Sequence, residues 1–300
     1  MRTAIRAAAA LLVAVAAGAF VAPAAAQAAP ARTGDAQCEV VPVVDGADTF
    51  TSPASVASGV RTFQVTTADP TGIVLGLFRL DEGVDIDDFV GLLRVAFAGQ
   101  GQERVEAGIA VDAQSTLLGG VAAIVGRPAT FTQTLVPGTY YLINYRDILA
   151  NPNGAVGFRP LTATTHWAPC APPVPRATVS MIDTPDGPRY LAPTTMQQGA
   201  PILVANLSGR IQEAVIRPVG PNVTAAEIAQ FFQAVDNGQP PPSLPFVGLL
   251  PQGMPVIDSP LAAIIQPNLA PGRYALLSFL LDDQGVRYAA QGTVVVFDVN

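Results

Sequence analysis

The 300-residue sequence contains no lysine, one histidine and two cysteines, and only 13% of its residues are charged. Each scarcity narrows the chemistry. With His166 as the only imidazole, neither a Ser-His-Asp triad nor an HExxH zinc site assembles in its usual form, and no Gly-x-Ser-x-Gly occurs. Arginine supplies all 16 basic side chains against 23 acidic ones, a net charge of −7. Such a surface repels phosphate backbones and argues against a nucleic-acid partner. Beyond the N-terminal stretch no run reaches the ~18–20 apolar residues that span a bilayer, so no stable membrane insertion is expected.

What is abundant points to a loop-rich β protein, with 28 prolines and 27 glycines. The N-terminus has a separate logic. Arg2 and Arg6 precede an apolar run from Ala7 to Val21, and small residues from Ala24 to Ala28 offer cleavage sites, which reads as a secretory signal peptide over 1–28. Export places the mature chain outside the cytoplasm. There Cys38 and Cys170, an even count in an oxidising compartment, are expected to form a disulfide. Closing a loop of about 130 residues, it stabilises by ~4–5 kcal/mol on chain-entropy grounds.

The stretch Pro271 to Val299 reads as two apolar runs around an Asp282-Asp-Gln-Gly285 turn, followed by a closing strand. Its Pro-Gly-x-Tyr opening occurs earlier at Pro137 to Tyr140, so one module is used twice. In the first copy, strands are predicted over 38–44, 61–67 and 72–80. A short amphipathic helix follows, carrying Phe89, Leu92, Leu93 and Ala96 at helical spacing. Asp85 is its natural N-cap. A calcium site from Asp85, Asp87 and Asp88 competes with that reading, but carboxylates at a helix start complement its dipole. Gln100 to Thr130 reads as looser chain with a turn at Gly119-Gly120. In the strand after Pro137, Tyr140, Leu142 and Asn144 share one face and Tyr141, Ile143 and Tyr145 the other.

Proline-rich residues 171–176 read as a joint between a first domain, 36–170, and a second, 177–300. His166 falls just before that joint, without a partner. The second copy predicts strands at 201–209 and 211–219 and a helix over 225–234 opened by a Thr224–Glu227 capping box. The expected fold is mainly β: two tandem cupredoxin-like or immunoglobulin-like β-sandwich domains, each with a short inserted helix.

That arrangement resembles secreted bacterial proteins with blue-copper-like (cupredoxin) domains. The residues that carry the resemblance are Asn206-Leu-Ser-Gly209, Gln212-Glu213-Ala214, Pro271-Gly-Arg-Tyr274 and Gly292. Copper-binding members hold the metal with two histidines, a cysteine and a weak axial methionine. The resemblance places these at Gln212 and Tyr288 (histidines), Ser278 (cysteine) and Thr293 (methionine); in the first copy the cysteine falls at Asn144 and a histidine near Leu75. None of the ligand types is retained, so the resemblance implies a sandwich without its copper, and no cofactor is expected.

The function expected is therefore a non-catalytic, secreted binding or structural module with an extracellular or cell-wall partner. Tyr140, Tyr141, Tyr145 and Tyr288 are candidate contacts. A copper electron-transfer protein with an atypical site and an extracellular hydrolase are the alternatives. Sequons at Asn206 and Asn222 decide nothing.

Overall fold

The computed structural model describes residues 39–46, 50–150, 154, 156–248 and 250–300. The expected signal peptide and Cys38 lie outside the described residues. The described elements are, in order, β1 (Val40–Asp45), β2 (Phe50–Thr51), β3 (Ser55–Thr67), β4 (Ile73–Leu80), α1 (Ile86–Ala98), α2 (Gly101–Gln114), β5 (Ser115–Ala123), β6 (Ala129–Leu135), β7 (Gly138–Asn144), α3 (Tyr145–Ala150) and β8 (Phe158–Trp167). Then come β9 (Ala177–Thr184), β10 (Gly187–Leu191), β11 (Thr195–Met196), β12 (Ile202–Asn206), β13 (Gln212–Pro218), α4 (Ala225–Asp236), β14 (Gln252–Ile257), β15 (Ala262–Gln266), β16 (Gly272–Leu277) and β17 (Val294–Val299).

The chain is mainly β and forms a sandwich of two sheets. One runs β2-β1-β3-β6-β15-β12-β9-β10. The other runs β8-β7-β4-β5-β14-β13-β16-β17-β11, and the start of β3 adds to its β8 edge. Neither sheet stops between the halves of the chain. Antiparallel β6–β15 pairs carry the first sheet across, and antiparallel β5–β14 pairs carry the second. The described residues from Glu39 onward accordingly form one compact unit.

Strand periodicity explains the burial. Alternate residues Val41 and Val43, Phe63 and Val65, Leu75, Tyr140 and Leu142 face inward with Val204, Ile265, Ile216, Leu276 and Phe297, in one core shared by both sheets. Phe63 stacks on Phe131 at 4.6 Å across β3 and β6. The opposite face of the second sheet is covered by helices. There Phe78, Ile143 and Tyr145 pack with Phe89 and Leu93 of α1, while Ala275 and Leu277 pack with Ile228 and Phe232 of α4. The two faces expected for the β7 tyrosines are the two faces observed.

The repeated Pro-Gly-x-Tyr has a physical reason. Gly138 and Gly272 hold φ of +148° and +152°, which a side chain would strain. The bend aims each tyrosine inward, where its hydroxyl reaches back four residues: Tyr140 donates to the Val136 carbonyl and Tyr274 to the Ala270 carbonyl, both at 2.8 Å. A buried phenol is thereby satisfied while its ring fills the core.

Three expectations are corrected. Residues 100–130 are not loose chain but α2, β5 and the start of β6. The Gly119-Gly120 pair lies inside β5, where a side chain on Gly120 would collide with the Leu75 carbonyl. The runs around Asp282–Gly285 are not a strand hairpin. The turn is present, with Asp282 Oδ1 accepting from the Gln284 and Val286 amides, but only Leu281 and Arg287 bridge across it. Residues 287–293 instead coil tightly, and β16 takes β17 as its partner. His166 is part of β8 and exposed; its carbonyl accepts from Ser58.

Candidate functional site

Strand β13 sets the site. Its alternation sends Gln212, Ala214 and Ile216 toward the sandwich interior and Ile211, Glu213, Val215 and Arg217 toward the helix-covered face. That face lies beside the β5–β14 join, and above the join opens a cavity of about 510 Å³. Its floor includes Val74, Leu117, Ala122, Val215 and Val256. Its walls come from Leu93 and Phe97 of α1, Val105, Gly108 and Ile109 of α2, Tyr145 and Leu149 of α3, and the 279–283 loop. Ile109 and Leu149 are 55% and 50% exposed and mark apolar rims.

A few polar groups interrupt this apolar lining. Glu213 is 6% exposed. Its carboxylate accepts from the backbone amides of Phe279 and Leu280. Burial nevertheless pushes its pKa up to about 7, against the lowering pull of those amides and of the Arg104 guanidinium. The Tyr190 hydroxyl donates to the Glu213 carbonyl, tying this strand to β10.

Five arginines reach the cavity and divide into two sets. Arg210 pairs with Asp183 at 3.4 Å and Arg287 pairs with Asp236, while Arg104 donates to the Ala96 carbonyl at 3.0 Å and is attracted by Glu213. Arg146 and Arg217 form the other set. Neither is in an ion pair among the described residues, and the Nε of each is buried without a hydrogen-bond partner. Burial, then repulsion from Arg146, pulls the Arg217 pKa down.

The positions expected from the copper-protein resemblance do not converge on a metal. Gln212 is fully buried, with both amide atoms unpartnered. Ser278 lies beside the Tyr190 hydroxyl, and Thr293 donates to the Pro188 carbonyl at 2.7 Å. Tyr288 turns away to the cavity, where Arg210 donates to its hydroxyl at 3.3 Å. Amide and hydroxyl oxygens are hard donors, without the thiolate and imidazoles a blue-copper centre needs, so this donor set does not fit copper. In the first half Leu75 is core, and Asn144 Oδ1 accepts from the Val74 and Arg146 amides. Among the described residues no cluster of three His, Cys, Asp or Glu could hold a metal ion, and no helix is long and apolar enough to cross a membrane.

The remaining candidates resolve individually. Asp85 caps α1, its Oδ1 accepting from the Asp87 and Asp88 amides at 2.8 and 3.2 Å. Thr224 and Glu227 form the full capping box. Tyr140 and Tyr145 are buried and Tyr141 is half-buried, so none offers the exposed contact expected; Tyr145 and Tyr288 line the cavity instead. Asn206 is fully buried and donates to the Arg210 and Ile257 carbonyls, which closes that sequon to modification. Cys170 follows β8; the expected bridge to Cys38 reaches outside the described residues.

Sequence reasoning did not single out Arg146 or Arg217, and it named Glu213 only within Gln212-Glu213-Ala214, not as a site residue. The only signal was positional: charged residues at 213 and 217 flanking the apolar run 214–216.

The chain matches no protein-family model and no curated protein. Among solved structures it is similar to the auracyanin of Roseiflexus castenholzii, at 20% identity and a TM-score of 0.26, over 41% of this chain and 94% of that one. It is also similar to the copper nitrite reductase of Nitrosomonas europaea, at 10% identity and a TM-score of 0.24, over 87% and 93%. A multicopper oxidase is similar at 11% identity and a TM-score of 0.24, over 87% and 88%.

Proposed function

We propose that the chain is a secreted, non-catalytic binding module that holds a small, largely apolar molecule in the cavity above the β5–β14 join. The observation that carries this reading is the cavity itself. Its volume of about 510 Å³ lies within the range of small-molecule sites, and its walls combine apolar side chains with charged groups that include Glu213 and five arginines. The polar groups favour holding over reacting. Glu213 is engaged by two backbone amides, and among the described residues no serine, threonine, cysteine or histidine lines the cavity. The signal-like N-terminus supports export.

Gly108 supplies the test. It lines the cavity from α2, and a Cβ added there meets nothing within 4 Å. Gly108→Phe fills the space without backbone strain. Wild-type protein titrated with an uncharged apolar fluorescent probe such as N-phenyl-1-naphthylamine is expected to bind one probe per chain. Gly108→Phe, with an unchanged or raised melting temperature, is expected to lose at least tenfold in affinity. Equal binding by the two proteins would sink the reading.

A further inference from the structure

The geometry points to a specific ligand chemistry: a single-chain amphiphile whose carboxylate headgroup is held by Arg146 and Arg217 and whose hydrocarbon chain fills the cavity. This inference rests on the binding reading above and deepens it.

The two guanidiniums occupy the end of the cavity where β4 begins and β5 ends. Register places Val74 opposite Ala122 and Ala122 opposite Gly253, and Arg217 lies one residue beyond the Ile216–Gln252 pair. Arg146 opens α3 beside this edge. Two like charges held within mutual influence in an apolar surround are costly unless an anion joins them. Among the described residues no carboxylate pairs with either: the ion pairs go to Arg210, Arg273 and Arg287. Each guanidinium also keeps a buried Nε–H without an acceptor. An unmade hydrogen bond at a buried donor is unfavourable, and a carboxylate oxygen is the acceptor that answers both deficits.

The rest of Arg217 is anchored. Its Nη2 donates to the Gly248 carbonyl at 2.8 Å, and its guanidinium lies 4.8 Å from the Phe246 ring centroid. It is thus held in place for a guest rather than free to fold back to solvent. The choice of an anion is notable in a chain with net charge −7, because no general electrostatic attraction would gather acids to it.

The test is calorimetric titration of the full chain with three probes sharing a twelve-carbon chain: dodecanoate, 1-dodecanol and dodecyltrimethylammonium, all below micelle formation. Dodecanoate is expected to bind one per chain, at least tenfold tighter than dodecanol, with the ammonium weakest. Arg146→Met keeps the stem and removes the charge while leaving the Arg217 contacts intact. It is expected to reduce dodecanoate affinity at least tenfold and leave dodecanol unchanged, with an unaltered melting temperature as the folding control. Equal affinity for dodecanoate and dodecanol overturns the headgroup assignment while leaving the cavity reading standing. Binding of none of the three overturns both.

Discussion

The two halves of the chain share one order of strand pairing and differ in what crosses between the strands that meet at the join. From β4 to β5 the chain makes two helices, α1 and α2; from β13 to β14 it makes one, α4, and then a proline-rich segment. Both first helices are side-chain capped and both cover the outer face of the second sheet. Only the first half adds α2, and only α2 brings Val105, Gly108 and Ile109 over the join. Symmetric halves would have closed this surface symmetrically. The cavity is a product of their asymmetry, and it exists only because the halves are joined.

The largest test of that comparison is Gly120→Ala. It forces a side chain against the Leu75 carbonyl at a φ of +153°, in the strand of the first half that pairs with β14. A loss of at least ~3 kcal/mol is expected. Because both sheets run through both halves, calorimetry should show one transition moved to lower temperature. A second, unmoved transition would show that the halves unfold independently.

Next comes Glu213, whose carboxyl belongs to the second half and faces the helices of the first. Its pKa is pushed from 4.5 up to about 7 in the fold. Between those values the folded chain holds a proton that the unfolded chain has released, so stability falls as pH rises from about 4.5 to 7. Asp258, pushed up to about 7 mainly by burial, adds to the same slope. Glu213→Gln keeps an acceptor for the Phe279 amide and should remove ~3 kcal/mol of that pH dependence, read from urea midpoints at pH 4.5 and 7.5. An unchanged slope would place the buried charge elsewhere.

The smallest effect sharpens the comparison between the helices. Asp85→Ala and Thr224→Ala each remove a cap and should each cost ~1 kcal/mol. If α1 is held by its packing with α2, the loss at Asp85 will be the lesser of the two. Urea midpoints of the two variants decide it.

Much of the framework was legible in the chain. The apolar runs that form β1, the later part of β3 and β4, the Asp85 cap, the Thr224–Glu227 box and the two Pro-Gly-x-Tyr bends are all local patterns that survive folding unchanged. The misread parts share one cause. Gly108 interrupts α2 and its apolar periodicity is weak, so it does not announce itself as a helix; it is held by Val105, Ala107 and Val111 against the fold. Gly119-Gly120 looks like a turn because a turn and a close approach to another strand both need glycine. The candidate site was hidden for a stronger reason. Arg146 and Arg217 are distant in sequence, and nothing short of the β5–β14 register brings them to one end of one cavity.

That register has a consequence for symmetry. Strands β5 and β14, and likewise β6 and β15, run antiparallel to each other across the join, as equivalent edges do about a twofold axis. A half-length chain bearing such strands would carry two bare hydrogen-bonding edges and would satisfy them most readily against a twin. In one continuous chain the two sides of the join need not be identical, and here only one of them carries a second helix, α2, over it.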